Sequence, residues 1–419
     1  LAKVIVDKGL ADNDFLNRCV ANRDELDAYL NSFDLDAACA VTGVDRKQLE
    51  AAAEYLGTAT SVAIVFGRDV MGAARAEAAV AAIANLALVT GALHGDLGGL
   101  FPVAPKGNSQ GLIDAGAAAE FLPGLQDYAT GRETFAKAWH CSLPEGGADA
   151  NGILEGIEQG KIKALYLAGA NPLVGFPESA RWRKALDKLD ILVAQDILAN
   201  DLTELATVVL PGAASSEKRG SVTAIDQRVN KLRIAVAAPG DARPDLAILS
   251  DLFARLTGKP EPSENAVRQE MMELSGGYTD VCQALEQHSF CWKQPYTPAD
   301  KALVAATPEL IAPESADLML MLSKCPFQFG TTTTYSPANN ELAPEGLIIV
   351  NPEDAGRLGV ADGGRLQVSS PTGSASGKVM VHAMMPAGLL AASDNFADMN
   401  IQQIMPSGSN CVAVTAAKA

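Results

Sequence analysis

The feature that most restricts the fold of this chain is a set of four short apolar runs. Each run ends in a turn-forming or polar residue. They span residues 62–67, 164–169, 191–196 and 207–211. Patterns typical of helices lie between them, at about 72–90 and at Glu178–Leu189. Strands that alternate with helices predict a parallel, doubly wound sheet and thus an α/β fold. Ligands bind at the carboxyl ends of such strands, which here are Gly67, Gly169–Asn171, Asp196 and Pro211.

The C-terminal quarter of the chain has a different sequence pattern, in which strand-like runs are separated by turns. The turns are marked by Asp362–Gly364 and Pro371–Gly373. This pattern predicts a small, mostly β domain closed into a barrel. The strand-like runs lie at residues 317–322, 347–350, 365–370 and 377–381.

The sequence therefore predicts three parts: an α/β region at 1–255, a connector at 256–316 and a β-barrel at 317–419. The connector combines short helical stretches with Gly258 and several prolines, which interrupt regular structure. The chain starts at Leu1 with an apolar helical pattern, so we expect it to be a piece of a longer polypeptide whose N-terminal part is missing. We also expect that missing part to complete the sheet that carries Gly169.

The charge balance excludes some partners. The 419 residues include 33 Lys and Arg against 50 Asp and Glu, a formal net charge of −17. A phosphate backbone or an anionic bilayer would be repelled, so neither nucleic acid nor direct membrane insertion is expected. No apolar run reaches the roughly 20 residues that a membrane helix requires. The motifs of nucleophile-elbow hydrolases and P-loop nucleotidases are also missing from the sequence.

The cysteines do not predict a metal site. Their number is odd and their spacing scattered, with no CxxC pair, as is typical of reduced thiols in a cytoplasmic protein. Only Cys282, His288 and Cys291 lie close together, and packing explains them better than a metal. We predict no metal ligand and no catalytic residue in this chain. The seven cysteines are Cys19, Cys39, Cys141, Cys282, Cys291, Cys325 and Cys411.

An ordered series of motifs between about residue 60 and the C-terminus resembles the molybdopterin oxidoreductase family. The resemblance implies a core like that of formate dehydrogenase and dimethyl sulfoxide reductase, followed by a double-psi-like barrel. The motifs are Gly169–Pro172, Gln195–Asp196, Thr203–Pro211, Glu217–Ser221, Pro239–Asp245 and Asn351–Gly363.

The family's cofactor consists of two pterin–guanine dinucleotides that hold molybdenum or tungsten. On this resemblance Gly169 allows close backbone approach, Asn171 offers an amide, and Asp196 accepts hydrogen bonds from guanine or ribose. Backbone N–H groups and hydroxyls of the segment 330–333 would bind phosphate oxygens. Turn chemistry, or a strand in the case of the threonine run, is the alternative explanation of each motif. The predicted cofactor-binding residues are Gly169, Asn171, Asp196, Glu217, Gly220, Gly330, Thr331 and Thr333.

Departures from the family pattern decide which branch the chain resembles most. The segment Gly220–Asn230 has Ala224 where members that bind the dinucleotide usually have asparagine, Asp226 in place of glutamate, and Asn230 in place of glutamine. Unpaired polar groups of a buried cofactor would cost about 1–3 kcal/mol each. The segment Cys325–Gly330 also lacks the basic or histidine residues that catalytic members often carry there.

These departures resemble the branch formed by the large peripheral-arm subunit of the bacterial proton-pumping NADH:quinone oxidoreductase, respiratory complex I. The segment Asn395–Asn400 resembles the same branch. That branch is a scaffold for electron transfer from NADH to quinone. The resemblance implies no cofactor in this region, iron–sulfur clusters in the missing N-terminal part, and partners among the other peripheral-arm subunits. It also implies a cytoplasmic location at the periphery of the inner membrane.

Two alternatives stay open. The first alternative is that the chain is a fragment of a catalytic molybdenum or tungsten bis-pterin oxidoreductase such as formate dehydrogenase. The second is that it is a free-standing binding protein with a vacant cleft. Metal and pterin analysis of the full-length protein separates the scaffold from the catalytic fragment.

Overall fold

The computed structural model describes residues 1–72, 75–94, 97–104, 106–275, 279–292, 299–309 and 316–419. Residues 95–96 and parts of the predicted connector (293–298 and 310–315) lie outside these residues, as does the side chain of Cys282. The chain forms two compact units, each built from separate segments. Unit 1 comprises Leu1–Ser109, Ala224–Arg228 and Trp292–Pro313, and unit 2 comprises Gln110–Thr223, Val229–Cys291 and Glu314–Ala419.

Unit 1 is mainly helical. Aspartates fix several helix starts by accepting backbone N–H groups, as Asp12 Oδ1 does from Phe15 N at 2.9 Å. The helices bury Ile5, Phe15 and Leu26 completely or almost so, and these side chains belong to one apolar core. Its elements are α1 (Ala2–Asp7), α2 (Asn13–Cys19), α3 (Arg23–Asn31), α4 (Leu35–Thr42), α5 (Arg46–Thr58), β1 (Ala63–Phe66), α6 (Arg68–Met71), α7 (Ala76–Val89) and β2 (Gly99–Pro102).

The strand predicted at 62–67 forms, but it is not covered on both faces, as the strands of a doubly wound sheet are. Strand β1 pairs in parallel with β2, and Val65 is 65% exposed. Among the described residues β1 and β2 form a two-stranded sheet, so alternate side chains of β1 face away from the unit's core. The apolar run therefore predicted the strand correctly, but it does not indicate whether other elements pack on both faces of that strand.

Unit 2 contains the parallel sheet that the sequence predicts. Strands β5 (Ala164–Ala168), β6 (Ile191–Asp196) and β7 (Val208–Pro211) pair in the order β5-β6-β7, with Ala168 opposite Gln195 and Asp196 opposite Pro211. The helices of this layer pack on the sheet around Leu154, Trp182 and Leu192. They are α10 (Ala150–Glu158), α11 (Pro172–Gly175), α12 (Ser179–Leu186) and α13 (Asp201–Leu205).

The C-terminal part of unit 2 is a curled, mixed sheet of seven strands. Their order is β16-β11-β15-β12-β14-β13-β17, and Leu320, Ile348 and Leu366 are fully buried in the core of this sheet. The sheet is built from β11 (Met319–Ser323), β12 (Leu347–Val350), β13 (Arg365–Ser370), β14 (Gly373–Val381), β15 (Leu389–Ser393), β16 (Cys411–Ala413) and β17 (Thr415–Lys418).

Single-turn 3₁₀ helices and short connecting elements complete unit 2. The 3₁₀ helices are Ser215–Glu217, Thr331–Tyr335 and Ile401–Ile404, so the threonine run is helical rather than a strand. No helix in the described ranges has the length and apolarity required to cross a membrane. The other elements are α8 (Ser109–Asp114), β3 (Phe121–Leu122), β4 (Gln126–Asp127), α9 (Tyr128–Trp139), β8 (Gly220–Thr223), β9 (Arg228–Leu232), α14 (Asp245–Thr257), α15 (Glu264–Leu274), α16 (Thr279–Gln287), β10 (Phe290–Trp292), α17 (Pro337–Leu342) and α18 (Pro352–Leu358).

An arginine on α12 gives the stability of unit 2 a predictable pH dependence. Arg181 donates to both carboxylate oxygens of Glu158, at 2.8 and 2.6 Å, and also pairs with Glu178. The hydrogen bond from Arg181 lowers the pKa of Glu158. The pair therefore stabilises the fold above the carboxyl's unfolded pKa, and this contribution is lost as the pH falls through the lowered folded pKa.

We expect Arg181→Met to lower stability at pH 7 by less than about 1 kcal/mol, because both side chains are partly exposed to solvent. Thermal melts at pH 7 and pH 3.5 measure this effect. The difference between wild type and variant should shrink at the lower pH, and a constant difference would assign the effect to packing of the arginine stem.

Candidate functional site

A cleft of about 640 Å³ lies in unit 2 where the parallel sheet meets the curled sheet. Loops that follow β5 and β6 form one wall, and the 3₁₀ helix Thr331–Tyr335 with the segment Asn395–Asp398 forms the other. The carboxyl ends of β5 and β6 therefore open into a cavity, which is where ligands bind in doubly wound folds.

Gly169 and Asn171 define the loop after β5. Gly169 has φ +63°, a left-handed conformation that suits glycine, and its N–H donates to Gln195 O at 2.8 Å. Asn171 caps α11, because its Oδ1 accepts from Leu173 N at 2.9 Å. Its Nδ2 donates to Asp201 Oδ1 at 2.8 Å. The asparagine thus fixes the loop and Asp201 at the same time.

Asp196, at the end of β6, is held by its own loop. Its Oδ1 accepts from Ile197 N at 2.7 Å, and its Oδ2 accepts from Asn200 Nδ2 at 2.9 Å. Asn200 is itself locked, because its Oδ1 accepts from the N–H groups of Leu202 and Thr203 in the capping box of α13. Each Asp196 oxygen keeps a further lone pair, so the carboxylate is a fixed acceptor.

The wall formed by Thr331–Tyr335 is joined to the β6 loop by a tyrosine. The Tyr335 hydroxyl donates to Ala199 O at 2.6 Å. Burial raises the pKa of Tyr335, and the negative charges of Asp196 and Asp201 raise it further. The phenol therefore remains protonated at neutral pH and keeps this hydrogen bond.

Gln328 forms a buried part of the same wall and is 1% exposed. Asn395 Nδ2 donates to Gln328 O at 2.7 Å. The Gln328 Nε2 donates to Asn340 Oδ1 at 2.8 Å and, at 3.4 Å, to Ala343 O. Its Oε1 has no hydrogen-bond partner among the described residues. A buried acceptor without a donor is unusual in a folded protein, and a bound water is an ordinary partner for such an atom.

Four of the eight predicted cofactor-binding residues line this cleft: Gly169, Asn171, Asp196 and Thr331. The other four are not among the residues that line it, and their role in binding stays a prediction. Each makes local backbone structure instead. Glu217 Oε2 accepts from Ala214 N, Gly220 begins β8, Gly330 is the buried N-cap of the 3₁₀ helix, and the Thr333 hydroxyl donates to Gly330 O.

Sequence reasoning did not identify Gln328, Asn340 or Asn395 as site residues. Asn340 and Asn395 are 12 and 67 positions from Gln328, so their grouping depends on the folded sheet. One signal was available, because the polar residues Asp394 and Asn395 directly follow β15, as Asp196 ends β6. The segment Ala224–Arg228, where the sequence departs from the family pattern, forms the turn of the β8–β9 hairpin.

The cleft is acidic. Asp196, Asp201 and Asp398 line it, and no Lys, Arg or His is among its described lining residues. The described residues also contain no group of three or more His, Cys, Asp or Glu that could hold a metal ion. The six cysteines whose side chains the structure describes are free thiols, and burial raises the pKa of Cys291 and of Cys411.

Comparisons with known proteins identify relatives along the whole chain. The alpha subunit of the NADPH-Fe(3+) oxidoreductase of Geobacter sulfurreducens is 38% identical over 100% of this chain and 49% of its own length. The alpha subunit of the F420-dependent formate dehydrogenase 1 of Methanococcus maripaludis is 26% identical over 94% of this chain and 62% of its own length. A subunit of the NADH-quinone oxidoreductase of Rhizobium meliloti is 30% identical over 72% of this chain and 36% of its own length. The chain thus spans about half the length of the first relative.

The fold and two family models agree with these relatives. Acetylene hydratase from Pelobacter acetylenicus matches the structure with a TM-score of 0.77 over 100% of this chain and 69% of that chain, at 14% identity, which shows the shared fold. The model described as Molydopterin dinucleotide binding domain matches residues 318–419. The model described as Molybdopterin oxidoreductase matches residues 1–255, more than half of the chain, and the chain therefore belongs to the molybdopterin oxidoreductase family.

Proposed function

We propose that this chain is part of the large subunit of a molybdenum- or tungsten-dependent oxidoreductase and that its cleft binds the nucleotide end of a pterin dinucleotide. The cleft is the observation that carries the proposal. Its volume, about 640 Å³, lies within the range of roughly 300–1,000 Å³ that is typical of small-molecule sites. It opens at the carboxyl ends of two parallel strands, and it belongs to the unit that contains the dinucleotide-binding domain.

The donor and acceptor groups of the cleft fit a nucleoside. Asp196 lines the cleft and is fixed as an acceptor by Ile197 and Asn200. Ribose hydroxyls and base N–H groups are donors that complement such acceptors. When bound, the pterin group supplies electron-transfer chemistry at its metal, whereas the residues of this cleft hold and orient the nucleotide.

The printed names of the relatives support an electron-transfer role without fixing the substrate. They refer to NADPH and Fe(3+), to F420 and formate, and to NADH and quinone. A relative that matches all of this chain is named for NADPH and Fe(3+). We therefore assign the chain the oxidoreductase class and leave its electron donor and acceptor to the upstream region and the partner subunits.

A second candidate is the scaffold role of the large peripheral-arm subunit of respiratory complex I, without a pterin in the cleft. Two observations favour it. The three lining aspartates would repel a pyrophosphate, and Ala224 lacks the amide that members with a bound dinucleotide usually have. In this role iron–sulfur clusters upstream carry the electrons, and the chain packs against other peripheral-arm subunits at the cytoplasmic side of the membrane.

Composition of the purified protein decides between the two. The full-length protein, isolated from its own organism, should contain stoichiometric molybdenum or tungsten by plasma mass spectrometry. Acid hydrolysis should release a nucleoside monophosphate in proportion to the metal, detected by chromatography. Iron without molybdenum, tungsten, pterin or nucleotide would overturn the first proposal and support the scaffold.

A further inference from the structure

A second cavity lies in unit 1, and the proposed function makes no use of it. Its volume is about 350 Å³, and residues of α1, α3, α4, α5 and α7 line it. Most of these side chains are apolar, and they include the T-shaped ring pair of Tyr29 and Phe33, whose centroids are 5.2 Å apart. A cavity of this size and character suits a small apolar molecule or a chain of methylene groups.

The amide and the phenol in this wall already have partners within unit 1. Asn85 Nδ2 donates to Ala306 O at 2.7 Å, and Asn85 Oδ1 accepts from Ala306 N at 3.1 Å. The Tyr29 hydroxyl donates to Pro308 O at 3.0 Å. Because these donors are used, a ligand inside the cavity is held by the burial of apolar surface rather than by hydrogen bonds to them.

The charge of this cavity is opposite to that of the whole chain. Lys3 is the only charged side chain among the described residues that line it, although the chain has a formal net charge of −17. The stem of a lysine in an apolar wall leads its ammonium group to the water at the edge, and the Lys3 side chain is 17% exposed. Lys3 Nζ pairs with Asp7 at 3.2 Å, and its three donors leave capacity for a second anion. The wall therefore complements an apolar chain with an anionic head group.

We propose that the cavity of unit 1 binds a fatty acid or another single-chain carboxylate, with the alkyl chain among the apolar side chains and the carboxylate at Lys3. The chain would replace water on the apolar wall, and the carboxylate would form a charge-assisted hydrogen bond with the ammonium group. The cavity lies in unit 1 and the cleft lies in unit 2. The inference is therefore independent of the proposed function, and the failure of either leaves the other standing.

Titration calorimetry of the full-length protein with hexanoate, octanoate, decanoate and dodecanoate, each below its micelle concentration, tests the inference. We expect the affinity to rise about fourfold per added methylene until the chain fills the cavity. Lys3→Met should lower decanoate affinity about two- to fivefold and leave decanol affinity unchanged, because decanol lacks the charge. The matched control is Lys8→Met, since Lys8 pairs with Glu54 at 3.0 Å and does not line the cavity.

Cys39 provides a second readout, because it lines the cavity whereas the exposed Cys141 does not. Decanoate should slow alkylation of Cys39 by N-ethylmaleimide and leave Cys141 unaffected, as measured by peptide mass spectrometry. Rising affinity with chain length, together with a carboxylate preference that Lys3→Met loses and Lys8→Met keeps, supports the proposal. Absence of binding, affinity independent of chain length, or a preference that survives in Lys3→Met overturns it. A Cys39 that is unreactive even without decanoate also overturns it, because another part of the protein would then fill the cavity.

Discussion

Replacing Lys324 by methionine is expected to destabilise unit 2 by about 1–3 kcal/mol, because Lys324 is the partly exposed partner of a buried carboxylate. Lys324 Nζ contacts both carboxylate oxygens of Asp394, at 3.0 and 2.9 Å, and the Asp394 side chain is 7% exposed. The variant would remove the ammonium group of Lys324 from the buried Asp394 carboxylate. Thermal and urea unfolding, followed by circular dichroism, measure the loss.

The position of this pair explains why the effect should reach the cleft. Lys324 follows β11 and Asp394 follows β15, and these strands are parallel partners with Ser323 opposite Ser393. The next residue after Asp394 is Asn395, which donates to Gln328 O. Weakening the pair is therefore expected to loosen the wall that holds Gln328, and GMP affinity should fall together with stability.

Two controls isolate the buried charge. Lys378→Met removes a pair with Glu345 in which both side chains are partly exposed, so its expected effect is below about 1 kcal/mol. The double variant Lys324→Met/Asp394→Leu removes both charges and should recover most of the lost stability. Equal destabilisation in Lys324→Met and Lys378→Met would contradict the assignment of Lys324 as partner of a buried carboxylate.

Local pattern was sufficient for the strands of the parallel sheet and for the family. The apolar runs at 164–169, 191–196 and 207–211 are short and end in turn residues, and they form the parallel strands β5, β6 and β7. Their side-chain pattern and length depend mainly on neighbours in sequence, which is why these strands were predictable. The strand-like runs separated by turn residues in the C-terminal quarter likewise predicted a mostly β region, and this region forms the curled sheet.

Contacts between distant residues were not predictable. Lys324 and Asp394 are 70 positions apart, and Gln328 depends on Asn340, Ala343 and Asn395. The burial of a polar side chain, and therefore its need for a partner, is decided by packing that one sequence does not report. For the same reason an apolar pattern predicted β1 but not the exposure of Val65.

The other large effect is expected from Asp196→Asn, although the substitution changes only one atom of the side chain. Asn200 Nδ2 must face residue 196, because Asn200 Oδ1 is held by the N–H groups of Leu202 and Thr203. The other contact of residue 196 is also a donor, the N–H of Ile197. An asparagine would thus place its NH₂ group against a donor in either orientation, and the loop after β6 should shift.

We expect Asp196→Asn to lower GMP affinity by about 10- to 150-fold, because hydrogen bonds to a charged acceptor are worth roughly 1.5–3 kcal/mol. The loop conflict should also lower thermal stability by about 1 kcal/mol. Asp190→Asn is the matched control, since it removes the same charge from a residue just before the other end of β6. Calorimetry with GMP and thermal melts measure both effects. If the two variants bind GMP equally and melt alike, Asp196 is neither the fixed acceptor of this cleft nor the residue that orders its loop.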